Sequence, residues 1–169
     1  LTRVDMARAT KQIQRYINEG WMAAGVTMTD PDLVWISPDA QLASDTLLRP
    51  MSFVYGNSKI GHHCIIGPNS RMIDTELGNN CQFVESIALE SKLEDGACAG
   101  PRAYLRPGTH LLKNAKAGTH LEIKNSTRGE GAKVPHLSYI GDTTMGEGVN
   151  IGAGSITCNY DGANQSKPT

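Results

Sequence analysis

The chain has 169 residues, enough for one domain with a small appendage, and a formal net charge of −1, which provides no basic field to recruit nucleic acid or an anionic membrane. No run approaches the roughly 18 apolar residues of a spanning helix, no signal-peptide core opens the chain, and the four cysteines show neither CxxC pairing nor zinc-finger spacing. They read as small buried residues of a reducing compartment, so a cytoplasmic location is expected.

Thr2 with Asp5 three residues later resembles a capping box, and Val4, Ala7, Ile13, Tyr16 and Ile17 give a rough apolar face for a helix ending near Gly20. Thr29-Asp30-Pro31-Asp32 is turn chemistry. Residues 1–32 are therefore expected to form a linker helix and arm, and residues 33–169 a second unit.

From Ile36 the period becomes six. Ile36, Leu42, Leu48, Val54, Ile60, Ile66 and Met72 follow one another at that spacing, and after a five-residue step come Leu77, Phe83 and Leu89. A four-residue step opens Leu93, Ala99, Leu105, Leu111, Ala117 and Ile123, and two further slips give Arg128, Val134, Ile140 and then Met145, Ile151, Thr157. Twenty of these twenty-two positions are apolar, against about nine expected from a 39% hydrophobic composition. Arg128 is one of the two exceptions. Four residues after most of them stands a small residue such as Ala40, Ser52, Cys64, Ala103 or Ser138, and Gly often follows the large one, as at Gly61, Gly78 and Gly118, where a backbone turn is expected.

A six-residue period fits neither an α-helix nor an alternating sheet, which makes an antiparallel barrel or sandwich a poor rival. Short strands joined by tight turns into stacked coils produce it, three hexads to a coil. The expected fold is all-β, a left-handed parallel β-helix of six to seven coils preceded by the short helix. A narrow prism also explains why aromatics are only 5% of the chain.

Residues eighteen apart stack at about 4.8 Å in such a coil. Arg106 and Lys124 are so related, each just after a large inward residue. They are either two solvated cations or a pair suited to share a phosphate dianion. One coil on, His136 is expected to have Ala153 as its upper neighbour, which leaves room for a ligand beside an imidazole. A histidine, with an ordinary pKa of about 6.5, suits a general base at neutral pH, although a lone histidine is more often structural. His62, His63, His110 and His120 do not fall into register with it, which argues against a zinc site.

Leu105-Arg-Pro-Gly108, Glu122-Ile-Lys124, His136-Leu-Ser-Tyr139-Ile-Gly-Asp142 and the stretch from Val149 to Gly162 closely resemble the bacterial bifunctional N-acetylglucosamine-1-phosphate uridyltransferases and glucosamine-1-phosphate acetyltransferases. The resemblance covers essentially the whole chain. It implies a homotrimer that takes glucosamine-1-phosphate and acetyl-CoA, with transfer sites where subunits meet and no metal in the acetyltransferase portion. It further implies Arg106 and Lys124 as ligands of the sugar phosphate, His136 as catalytic base, Tyr139 and Asn150 as sugar-site residues, and Ala153, Asn159 and Tyr160 as acetyl-CoA contacts. Glu122 is a candidate for orienting His136. The family's nucleotidyltransferase domain, which takes Mg, has no counterpart in these residues, so uridylyl transfer is not expected. Nor are the family's further coils after Gly162, where Gln165 replaces an expected lysine, with Lys167 nearby. A catalytically incomplete trimerising fragment, or a hexapeptide acetyltransferase for another amino sugar, are the alternatives.

Overall fold

The computed structural model describes residues 2–164. Gln165 and Lys167 lie outside them. Beyond one helix, the described chain winds into parallel strands that stack on three faces. The first face runs from Thr27–Met28 through Leu47–Leu48, Ile65–Ile66, Gln82–Phe83 and Cys98–Ala99 to the start of Lys116–Lys124. The second runs from Val34–Ile36 through Ser52–Tyr55, Ser70–Ile73, Ile87–Leu89 and Ala103–Leu105 to the end of that same strand, and Lys133–Gly141 pairs along its whole length. The third face carries seven strands, from Gln41–Leu42 to Thr144–Met145. The parallel β-helix expected from the six-residue period is the architecture that forms.

Register explains the slips in the period. Val34 pairs with Ser52, eighteen residues on; Glu76 pairs with Lys92, sixteen on; and Lys116 pairs with Lys133, seventeen on. Corner turns absorb the difference, because inward residues must still stack when a corner shortens. One position differs from expectation. Ala88, not Leu89, stacks between Met72 and Leu105, and Ala88 is fully buried while Leu89 is half-buried. The two short steps are thus five and five, where the large Leu89 had suggested six and four.

The interior is a column of aliphatic residues, with small residues filling the second inward position. Leu48, Val54, Ile66, Met72, Phe83, Leu105, Leu111 and Ile123 have no exposure at all, and neither do Ser52, Cys64, Ala97 and Ala115. Cys64 and Cys81 are buried as expected, but Cys98 is half-buried and Cys158 exposed, since these two sit off the inward positions. All four are free thiols.

Of the glycines after the inward residues, Gly67 and Gly100 take the left-handed conformation expected of a turn, whereas Gly61, Gly78 and Gly118 do not and have a different reason. A Cβ on Gly118 would stand 2.0 Å from the Pro135 carbonyl oxygen, so the next coil lies against the bare backbone there. The left-handed corner positions fall mostly to other residues, among them Asp45, His63, Asn80 and Asn114. Asn and Asp tolerate that conformation better than most residues.

The helix spans Arg3–Ala23 and starts with the expected capping box, in which the Thr2 hydroxyl accepts from the Asp5 backbone and the Asp5 carboxylate accepts from the Thr2 backbone. Of its expected apolar face only Ile17 packs. Val4, Ile13 and Tyr16 are exposed, whereas Gln14 and Asn18 are buried and Ile17, Trp21 and Met22 pack against the core. Gln14 Nε2 and Asn18 Nδ2 both donate to the Val34 carbonyl oxygen, on the last rung of the second face. An edge strand carries carbonyls that need donors, so the helix presents amides there in place of apolar side chains.

Candidate active site

The strands Lys116–Lys124 and Lys133–Gly141 each hold nine residues and pass through the corner between the first and second faces. Their ladder sets the site. Leu105 pairs with Ile123 and Lys124 with Gly141, and the Arg106 backbone N–H donates to the Ile123 carbonyl oxygen at 2.8 Å. Arg106 and Lys124 therefore stand on adjacent coils of one face, as the eighteen-residue count required.

Neither cation stands apart from carboxylates. Arg106 Nη1 donates to Glu122 Oε1 at 2.8 Å, and both side chains are 38% exposed. The Glu122 carboxylate raises the Arg106 pKa further above its usual range. Glu122 is thus the partner of Arg106, which leaves the suggestion that it orients His136 without a contact to support it. Lys124 Nζ lies 3.9 Å from Asp142 Oδ2, with only 19% of the Lys124 side chain and 11% of the Asp142 side chain exposed.

Asp142 is the centre of a network that sequence reading did not single out. Its Oδ1 accepts from Asn125 Nδ2 at 2.7 Å, and its Oδ2 accepts from Asn159 Nδ2 at 2.5 Å. Asn159, almost fully buried, also donates to the Tyr139 hydroxyl oxygen at 3.2 Å. The hydrogen bonds from Asn125 and Asn159 lower the carboxyl pKa, as does the Lys124 charge to a smaller degree, against the opposing effect of burial. A carboxylate held ionised in this way fixes Lys124, Asn159 and, through Asn159, Tyr139 relative to one another.

His136 is exposed at the corner, opposite Thr119 in the ladder, and its imidazole makes no hydrogen bond to the described residues. Lys133 bridges Asn150 and Tyr139 bridges Ile156, both seventeen residues on, so the same register sets Ala153 over His136. Asn150 is exposed beside Lys133, and Tyr160, 63% exposed, donates its hydroxyl only to the Gly162 carbonyl oxygen. The structure thus brings Arg106, Lys124, Tyr139 and Asn159 together and leaves Asn150 and Tyr160 outside that network. Beside it runs an open groove of about 540 Å³, lined among others by Arg102, Tyr104, Glu122, Leu137, Tyr139 and Ile156. Arg102 Nη1 and His120 Nε2 are 3.1 Å apart, which makes that nitrogen the acceptor and leaves Nδ1–H to donate to Thr119 Oγ1. Among the described residues no three His, Cys, Asp or Glu side chains are grouped to hold a metal ion.

A three-faced coil of hexapeptide repeats, with a cation pair, a hydrogen-bonded, partly exposed carboxylate and an imidazole on neighbouring rungs, defines a hexapeptide-repeat protein with a candidate site for a small anionic ligand. No protein-family model matches the chain. Curated relatives do. The bifunctional protein GlmU of Carboxydothermus hydrogenoformans is 48% identical over 163 residues, which is 96% of this chain and 36% of that protein. GlmU of Heliobacterium modesticaldum is 47% identical over 161 residues, 95% of this chain and 35% of the relative. For GlmU of Thermotoga maritima the identity is 45% over 161 residues, with 95% and 36% covered. The chain is homologous, along almost its whole length, to a segment of the bifunctional GlmU proteins, and it spans about a third of the length of the curated relatives it matches. Among solved structures, a Bacillus cereus chain described as a putative acetyltransferase overlays with a TM-score of 0.44 at 17% identity, covering 79% of this chain and 77% of that one.

Proposed function

We propose that this chain is the C-terminal, acetyl-transferring portion of a GlmU-type enzyme, which moves an acetyl group from acetyl-CoA to the amine of glucosamine-1-phosphate. The product, N-acetylglucosamine-1-phosphate, lies on the route to UDP-N-acetylglucosamine. The observation that carries the reading is the placement of Arg106 and Lys124 on adjacent coils, one rung from the Asp142, Asn159 and Tyr139 network.

In this reading the sugar phosphate is held by Arg106 and Lys124, whose planar and point-like cations suit the same dianion. Tyr139 and Asn150 contact the sugar, and Ala153, Asn159 and Tyr160 contact acetyl-CoA. His136 removes a proton from the sugar ammonium. The free amine attacks the thioester carbonyl, a C–N bond forms and the C–S bond breaks, and coenzyme A leaves as a thiolate that takes up a proton. No covalent intermediate on the protein is required. Exposed apolar residues along the groove, Leu137 at 64% and Ile156 at 72%, are suited to burial against further copies in a homotrimer. The reactants belong to the cytoplasm, where the enzyme would work.

The test mixes the purified chain with acetyl-CoA and glucosamine-1-phosphate and follows thiol release, with glucosamine lacking the phosphate as the control acceptor. Release that depends on the 1-phosphate supports the reading. No release from a folded trimer makes the chain an incomplete scaffold, and equal release with both acceptors points to another amino sugar.

A further inference from the structure

Up the first face, the inward residue at the aliphatic position shrinks. Leu48, Ile66 and Phe83 are followed in register by Ala99 and Ala117. At the level of Ala117 the third face brings in Arg128, stacked between Leu111 and Met145. Arg128 has no exposure and is the largest fully buried side chain among the described residues. Its side chain crosses the prism, because Nη1 donates to the Lys116 carbonyl oxygen of the first face at 3.0 Å. Two small residues on that face make room for the crossing.

The remaining nitrogens of the guanidinium are orphaned. Nε and Nη2 are buried with no hydrogen-bond partner. No Asp or Glu belongs to the buried set, so no carboxylate of the described residues follows the cation inside. Burial pushes its pKa down to about 9, which still leaves it charged at neutral pH. A cation in an apolar core without a counter-charge is among the most costly groups a fold can hold. Water would satisfy the two donors but would leave the charge uncompensated.

We propose that the interior of the prism beside Arg128 is a binding site for one small monovalent anion, a halide, held by Nε and Nη2 on the side where Ala99 and Ala117 replace large residues. The coils close around the ion as they wind, so it is captured during folding. The site is remote in kind from the proposed sugar-phosphate site, since it faces the axis and not solvent.

The experiment unfolds the chain in urea, refolds it with bromide as the only halide, and locates bromine by anomalous diffraction. A peak within about 3.5 Å of Nε and Nη2, absent from an Arg128→Met variant, is the expected result. Bromide peaks on the surface with none beside Arg128, or density there that fits only water, would overturn the proposal. A second measurement needs no crystal. Thermal unfolding at equal ionic strength in sodium chloride and in sodium gluconate, whose anion is too large for the interior, should give the wild type a Tm higher in chloride by on the order of 5 °C. Arg128→Met should show no difference between the two salts. The same response in both proteins, or no response in the wild type, would also sink it.

Discussion

Replacing Glu122 by Gln tests the phosphate site from an unexpected side. The Arg106 guanidinium is already engaged by Glu122 at 2.8 Å, and a dianion arriving at Arg106 has to share it with that carboxylate. Both side chains are more than one-third exposed, so the ion pair itself is worth only about 0.2–1 kcal/mol. A phosphate on the far side of the guanidinium lies roughly 6 Å from the carboxylate, where water-screened repulsion between one and two charges adds about 1 kcal/mol. The amide keeps the shape and one hydrogen-bond acceptor but removes the charge. Glu122→Gln should therefore tighten glucosamine-1-phosphate by about 1–2 kcal/mol, roughly a five- to thirty-fold fall in Kd. Titration calorimetry with glucosamine-1-phosphate reads the effect, and glucosamine, which lacks the dianion, should show none. An unchanged or weakened Kd for the sugar phosphate would refute the placing of the phosphate at Arg106.

Three further outcomes follow from the same geometry. His136→Ala should lower turnover by roughly 10²- to 10⁴-fold with an unaltered circular dichroism spectrum, and undiminished turnover would remove His136 from the chemistry. Asp142, whose folded pKa is depressed, contributes stability that is present above its unfolded pKa and is lost as pH falls through the folded one. Between about pH 4 and pH 2 the wild-type Tm should accordingly fall more steeply than that of Asp142→Asn, and parallel curves would contradict the network. Gly118→Ala should cost more than about 2 kcal/mol in urea unfolding, because its Cβ meets the Pro135 carbonyl oxygen, while Gly152→Ala, with open space around it, should cost well under half as much.

Periodicity revealed the coil because burial in a narrow prism is strict, so each inward position admits almost nothing but an aliphatic or a small residue. Where a small residue took the aliphatic place, as Ala88 did, the pattern pointed to its bulkier neighbour. The stacking of Arg106 over Lys124 could be counted from the sequence, since backbone register alone decides it. Asp142 could not, because its role depends on where side chains at two corners reach, and a residue count does not carry that information. Within the stretch that bears the family resemblance Asp142 is one letter among many, and its contacts with Asn125, Asn159 and Lys124 distinguish it. The helix misled in another way. Apolar spacing marks a face that meets a hydrophobic surface, whereas this helix meets the rim of a sheet, where Gln14 and Asn18 are the useful residues.

Those two amides have a consequence for how the molecule behaves in a crowded cell. By occupying the carbonyl of Val34 they take away an acceptor that a stranger's backbone would use at the end of the second face, which disfavours the stacking of a second prism there. Substituting leucine at both positions would preserve the bulk of the lid while abandoning that guard, and the expected sign of its loss is end-to-end polymers visible by light scattering and electron microscopy.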